Sequence, residues 1–216
     1  MFQLDDIFVE NVSKIKDLKL QSPIISIEGQ SGSGKSTLLR LLNNLDNPTS
    51  GNIYYKNQKL TNIEPMNLRK KIVMVPQNPV VFDGTIRENL NLGLKLSGEE
   101  AASDEQLKDM LQILWLDKKL ETNASDLSGG EEQRMALGRV LLMKKAEVFL
   151  LDEPSSDLDD QTTDHVIREF INRAKDQEQQ IIMVTHDKSV TNKFADQKIN
   201  MDEYSLHLKN EVKHDE

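Results

Sequence analysis

Eight consecutive residues, Gly29-Gln30-Ser31-Gly32-Ser33-Gly34-Lys35-Ser36, constrain this chain more than any other feature. The glycines let the backbone bend so that its N–H groups converge, and the pattern needs a strand before it and a helix after it. Both are legible. Residues 23–28 read as a short buried strand, and residues 35–45 as a helix with Leu38, Leu41, Leu42 and Leu45 on one apolar face. A loop at such a helix start suits an anion, because unpaired N–H groups and the helix dipole both favour negative charge. Lys35 would reach the β- and γ-phosphates of a nucleotide, and Ser36 would place its hydroxyl on Mg²⁺. The alternative, a Gly/Ser-rich turn without a ligand, is opposed by the strand-loop-helix context.

Further chemistry falls at the ends of apolar runs. Asp152 closes Val148-Phe149-Leu150-Leu151, where a carboxylate can hold Mg²⁺ directly or through water. Glu153 follows it and is placed to orient or deprotonate an attacking water. Neighbouring acids are more often a solvated turn; the apolar run and the phosphate loop favour the chemical reading here. Gln77 follows the strand-like residues 71–75 and Pro76, and His186 follows residues 181–184 and Thr185. Both should reach the C-terminal edge of a sheet, where α/β proteins gather ligands. The Gln77 amide oxygen would contact Mg²⁺ or the attacking water, and His186 the γ-phosphate, with an ordinary surface role as the standing alternative for each.

The rest of the chain alternates strands and helices. Asn47-Pro48-Thr49-Ser50-Gly51 is a turn before a strand at 52–55, and the strand at 71–75 joins it in the first half of the core. Residues 86–145 turn helical, broken by Ser97-Gly98-Glu99-Glu100. Ser103 caps a helix whose apolar positions are Leu107, Met110, Leu111 and Leu114, a second short piece is expected at 116–120, and 121–126 is a loop. A helix at 130–144, a strand at 148–151, a helix at 163–174 and a strand at 181–184 complete the pattern. The expectation is an α/β fold with a mainly parallel sheet and an inserted α-helical subdomain over about 86–145, within a single domain spanning 1–216. The charged tail after Lys209 reads as disordered. Trp115 reads as a core residue of the insert, with a partner-docking role as the alternative.

Composition narrows the function class. A formal net charge of −9 argues against a nucleic-acid partner, which needs a clustered excess of Lys and Arg. With no Cys there are no disulfides or thiolate metal sites, and a reducing compartment follows most simply. The start, Met1-Phe2-Gln3-Leu4-Asp5-Asp6, lacks the basic and apolar regions of a signal peptide, and no run approaches the ~20 apolar residues of a membrane span. A cytoplasmic chain is expected, with any membrane link made through a partner.

In order and spacing, residues 29–36, Gln77, Leu127-Ser128-Gly129-Gly130-Glu131, Asp152-Glu153 and His186 resemble the ATP-binding cassette family, over nearly the whole chain. The resemblance implies a P-loop nucleoside triphosphate hydrolase that uses ATP and Mg²⁺. Gly29, Ser31, Gly32, Gly34, Lys35, Ser36 and Thr37 would hold the nucleotide, with Ser36, Gln77 and Asp152 toward the metal and Glu153, His186 and Gln77 toward catalysis. It also implies that Ser128 and Gly130 contact the γ-phosphate bound to the opposite subunit, so that two ATP are sandwiched in a head-to-tail homodimer. Glu131 stands where the family more often carries Gln, and Asp157, in the intersite loop Ser156-Asp157-Leu158-Asp159, where it usually carries Ala. Phe8 is the nearest candidate for an adenine-stacking aromatic. Most single cassettes of this size power a separate membrane permease, which implies a position at the inner face of the cell membrane. The segment Val81-Phe82-Asp83-Gly84-Thr85-Ile86-Arg87-Glu88-Asn89-Leu90 resembles exporters, including those of bacterial iron. A regulatory ATPase that moves no substrate is the rival class.

Overall fold

The computed structural model describes residues 1–206; the tail after Lys209 lies outside the described residues. In chain order the elements are β1 (Phe2–Val9), β2 (Ser13–Leu20), β3 (Ile24–Glu28), α1 (Lys35–Leu42), β4 (Ser50–Tyr55), β5 (Gln58–Lys59), α2 (Pro65–Lys71), β6 (Ile72–Val75), α3 (Ile86–Ser97), α4 (Asp104–Ile113), α5 (Gly129–Leu141), β7 (Val148–Asp152), α6 (Asp160–Asp176), β8 (Gln180–Val184), α7 (Lys188–Phe194) and β9 (Gln197–Asn200).

A parallel sheet in the order β6-β7-β8-β3-β9 forms the centre of this α/β fold. Its inner strands β7, β8 and β3 are short, mainly apolar runs because both faces are covered, whereas the edge strand β9 buries only Ile199. Side chains alternate across the sheet: Phe149 and Leu151 pack among residues of α3 to α6, while Val148 and Leu150 pack with α1. Parallel strands all end on one edge, so the segments after β3, β6, β7 and β8 emerge together. That edge carries the phosphate loop, Gln77, Asp152-Glu153 and His186.

The expected strand at 52–55 does not join this sheet. It is β4, in a second, antiparallel sheet ordered β2-β1-β4-β5 that sandwiches α1 against the parallel one. The physical reason is its one-sided burial: Ile53 and Tyr55 point inward while their neighbours stay exposed or half-buried, as in a sheet that faces solvent. β2 has the same character, with Ile15, Leu18 and Leu20 buried between outward lysines.

Helix ends also differ from expectation. α1 stops at Leu42, since Asn44 takes a left-handed φ of 51°, and Leu45 is left 42% exposed. Seven-residue α2, unforeseen, starts on Pro65 with Glu64 accepting from the Asn67 N–H at 2.8 Å. Residues 116–120 form no helix. Ser103 caps α4 as expected, in reciprocal bonds with Gln106, and Gly98 closes α3 at φ 73°.

α3, α4 and α5 occupy the stretch between β6 and β7, two strands that pair directly. Asn89, 1% exposed, fastens the segment before α3 by bonding the Phe82 N–H and the carbonyls of Phe82 and Thr85. Arg139 of α5 donates to the Asn89 Oδ1 and backbone carbonyl and to the Val80 carbonyl, tying that segment to α5. Trp115 is not a core residue: it is 44% exposed, at φ 49°, with its ring stacked on His165 at 3.9 Å. Its left-handed backbone turns the chain sharply after α4 and leaves the indole outside.

Candidate functional site

One cleft of about 570 Å³ opens at the C-terminal edge of the parallel sheet. Ser31, Gly32, Gly34, Lys35, Ser36 and Thr37 form one wall, and Gln77, Asp152, Glu153 and His186 the other. Gly29 stands behind this wall. Its carbonyl and that of Gln30 each accept from the Lys35 ammonium at 2.9 Å, which holds a nearly buried cation over the loop with no carboxylate in ion-pair contact among the described residues. Gly34 is required where it sits: its φ is 96°, and a Cβ there would lie 2.9 Å from Val12 Cγ1.

Ser36 Oγ donates to Asp152 Oδ1 at 3.1 Å across the cleft floor. Burial pushes the Asp152 carboxyl above the usual range, against the opposing effects of Ser36 and Lys35. A carboxylate beside a hydroxyl, with the Gln77 amide on the same cleft, is an all-oxygen donor set of the kind a hard divalent cation takes.

Glu153 has a left-handed φ of 48°, which a non-glycine residue adopts only when its surroundings enforce it. Its N–H donates to the Val184 carbonyl at 2.9 Å, locking the turn after β7 onto β8. The side chain, 15% exposed, receives the His186 backbone N–H on Oε2 at 3.2 Å, and Oε1 lies 3.2 Å from His186 Nε2. Burial raises the Glu153 carboxyl despite the nearby His186 and Lys35, moving it toward the range of a general base.

Ser128 and Gly130 do not line this cleft. They sit at the start of α5, where the Ser128 N–H and Oγ donate to Glu131 Oε2 at 2.9 and 3.1 Å. Glu131 Oε1 in turn pairs with the Lys118 ammonium at 3.1 Å. The Ser128 N–H, with help from Lys118, holds this carboxyl below the usual range. Gly130 has no room for a side chain, since a Cβ would come within 2.7 Å of the Asp157 carbonyl. The start of α5 thus packs on the 156–159 segment, whose Ser156 lines the cleft.

A profile of the family described as ABC transporter matches residues 17–156, from β2 through the Asp152-Glu153 pair. The chain belongs to this family. It is therefore an ATP-binding cassette of the P-loop hydrolase class, and an ATP hydrolase. The lipoprotein-releasing system ATP-binding protein LolD of Rickettsia felis is 36% identical over 186 residues, covering 84% of each chain. Methionine import ATP-binding protein MetN 1 of Bacillus cereus is 35% identical over 194 residues, 86% of this chain but 56% of that protein, so this chain spans little more than half of that relative. Among solved structures, the dimeric ATP-binding cassette MJ0796 in a post-hydrolysis state bound to ADP and Pi superposes with a TM-score of 0.75. It is 28% identical, with 88% of this chain and 90% of that one covered.

In this cassette Phe8 is half-buried in β1 and does not line the cleft; Val12, in the β1-β2 turn, does. The sequence reading missed Val12 because it missed the hairpin that carries it. Asp202 was missed too: its Oδ1 accepts from the Gln30 N–H at 2.8 Å and steadies the loop entry. No local motif marks a residue that reaches the loop from 172 positions away.

Proposed function

We propose that two copies of this cassette close head to tail on two ATP molecules, and that the cycle drives a separate membrane permease. The observation that carries the reading is the division of the ATP-facing groups. The loop, Gln77, Asp152, Glu153 and His186 share one cleft, whereas Ser128 and Gly130 stand on another element outside it. A second copy is what would bring a signature loop to each γ-phosphate.

In this reading Lys35 and the loop N–H groups take the β- and γ-phosphates, and Ser36, Gln77 and Asp152 would hold Mg²⁺. Bound there, Mg²⁺ would neutralise charge developing on the phosphate oxygens. Glu153 takes a proton from the attacking water, and His186 turns its Nε2 between Glu153 and the γ-phosphate. Residues 1–216 act as one cassette, with α3 to α5 as the inserted helical subdomain expected over about 86–145.

Support for a permease comes from one apolar groove of about 350 Å³ beside β6 and α3. Met66, Val80, Phe82 and Leu96 line it and are 44–67% exposed, a concentration of apolar surface that marks a protein contact. Among the described residues no helix is long and apolar enough to cross a membrane; in this reading it is the permease that holds the cassette peripherally, at the inner face. The finer reading, an exporter of metal ions such as iron, rests on the likeness of residues 81–90 alone. The names of the two relatives, lipoprotein release and methionine import, favour other cargoes.

The test is an affinity pull-down from detergent-solubilised membranes of the source organism. A polytopic membrane protein is the expected companion, whereas soluble partners alone would favour a regulatory ATPase.

A further inference from the structure

We infer that Lys118 is a positioning residue for the signature loop: it neutralises Glu131 so that Ser128 can face the γ-phosphate of the second ATP. The inference rests on the shared-site reading above.

The geometry comes from two elements. Glu131 belongs to α5, and Lys118 to the connection between α4 and α5. Glu131 Oε2 accepts both the Ser128 N–H and the Ser128 hydroxyl, and its Oε1 is 3.1 Å from the Lys118 ammonium. The acid is only 19% exposed and Lys118 31%, so water screens the pair incompletely.

A phosphate oxygen bound by the Ser128 hydroxyl would lie one hydrogen bond beyond Oγ, hence within about 6 Å of Glu131 Oε2. Two anions at that separation repel, more strongly once dimer closure expels water. Lys118 converts the carboxylate into an ion pair of no net charge. It also competes for the acid's electron density. A serine hydroxyl has a single proton, which points here at Glu131 and must be released to reach a phosphate. Glutamine at position 131 would bring no charge and need no cation. The role of Lys118 is therefore conditional on Glu131, which separates it from a general structural contact.

The experiment uses the full chain carrying Glu153→Gln, which slows turnover. The ATP concentration at half-maximal dimer is measured by light scattering for this parent and after adding Lys118→Met, Glu131→Gln or both. Lys118→Met should raise that concentration about tenfold when Glu131 is present and less than about twofold in the Glu131→Gln background. Lys118→Arg should restore the parent value. Thermal unfolding without ATP monitors folding, and a merely structural role would not couple to residue 131 in the ATP dependence. Equal shifts in both backgrounds, or no shift in either, would overturn the inference while leaving the shared site intact. A parent that stays monomeric at saturating Mg-ATP would remove the shared site and this inference together.

Discussion

Glu153 and His186 grip each other from the ends of adjacent strands, with ring nitrogen and backbone N–H each 3.2 Å from a different oxygen of one carboxylate. The pair fixes the direction of a carboxyl that burial has already made more basic. Glu153→Gln should therefore bind ATP and dimerise while hydrolysing about 10²- to 10⁴-fold more slowly. Phosphate release and a sizing column run in Mg-ATP check both halves; a monomer there would count against the shared site. In the parent, hydrolysis should fall as pH drops through the raised Glu153 range, because only the ionised carboxylate accepts a proton.

Lys35 is held by two backbone carbonyls rather than an acid, so its charge is available to an incoming phosphate. Removing it in Lys35→Ala should weaken nucleotide binding on the order of 10- to 100-fold, the scale of lost charge-assisted hydrogen bonds. Titration calorimetry with a non-hydrolysable ATP analogue reads this directly. An unchanged affinity would refute the assigned role.

Gly130 leaves no space for a Cβ beside the Asp157 carbonyl, and the 156–159 segment reaches the cleft through Ser156. Gly130→Ala must push these apart, an overpacking of about 1–3 kcal/mol. The single chain should keep its ATP affinity, since Gly130 is outside its own cleft, but dimerise only at about tenfold higher ATP. Loss of affinity in the monomer would place Gly130 in the wrong site.

What could be read in the sequence followed from local pattern. The phosphate loop, Asp152-Glu153, Gln77 and His186 each adjoin an apolar strand, and parallel strands bring such neighbours to one edge. β1 and β2 escaped notice because polar residues interrupt them: β2 has no two adjacent apolar residues, and the run in β1 is only Ile7-Phe8-Val9. With that hairpin went Val12 and the correct sheet for β4. The left-handed turns at Glu153 and Trp115 had no glycine to signal them. Lys118 and Glu131 meet only because the connection after α4 folds back onto α5, a contact no spacing encodes.

Far from the cleft, Glu147 binds three donors: the Lys56 ammonium at 2.5 Å, the Lys71 ammonium at 3.1 Å and the Tyr55 hydroxyl. Burial alone would raise its carboxyl, but the combined bonds outweigh burial and hold it at about 2 against an ordinary 4.5. A depressed folded value means that stabilisation is fully present above the unfolded value of 4.5 and is lost as pH falls toward 2. Both lysines are about half exposed, so solvent screening leaves a contribution on the order of 1 kcal/mol. Urea unfolding of the parent and of Glu147→Gln should show a gap of that size near neutrality that closes between about pH 4.5 and pH 2. A gap that persists in acid would mean the residue acts through packing, and that its charge does not join the β4-β5 turn to the base of β7.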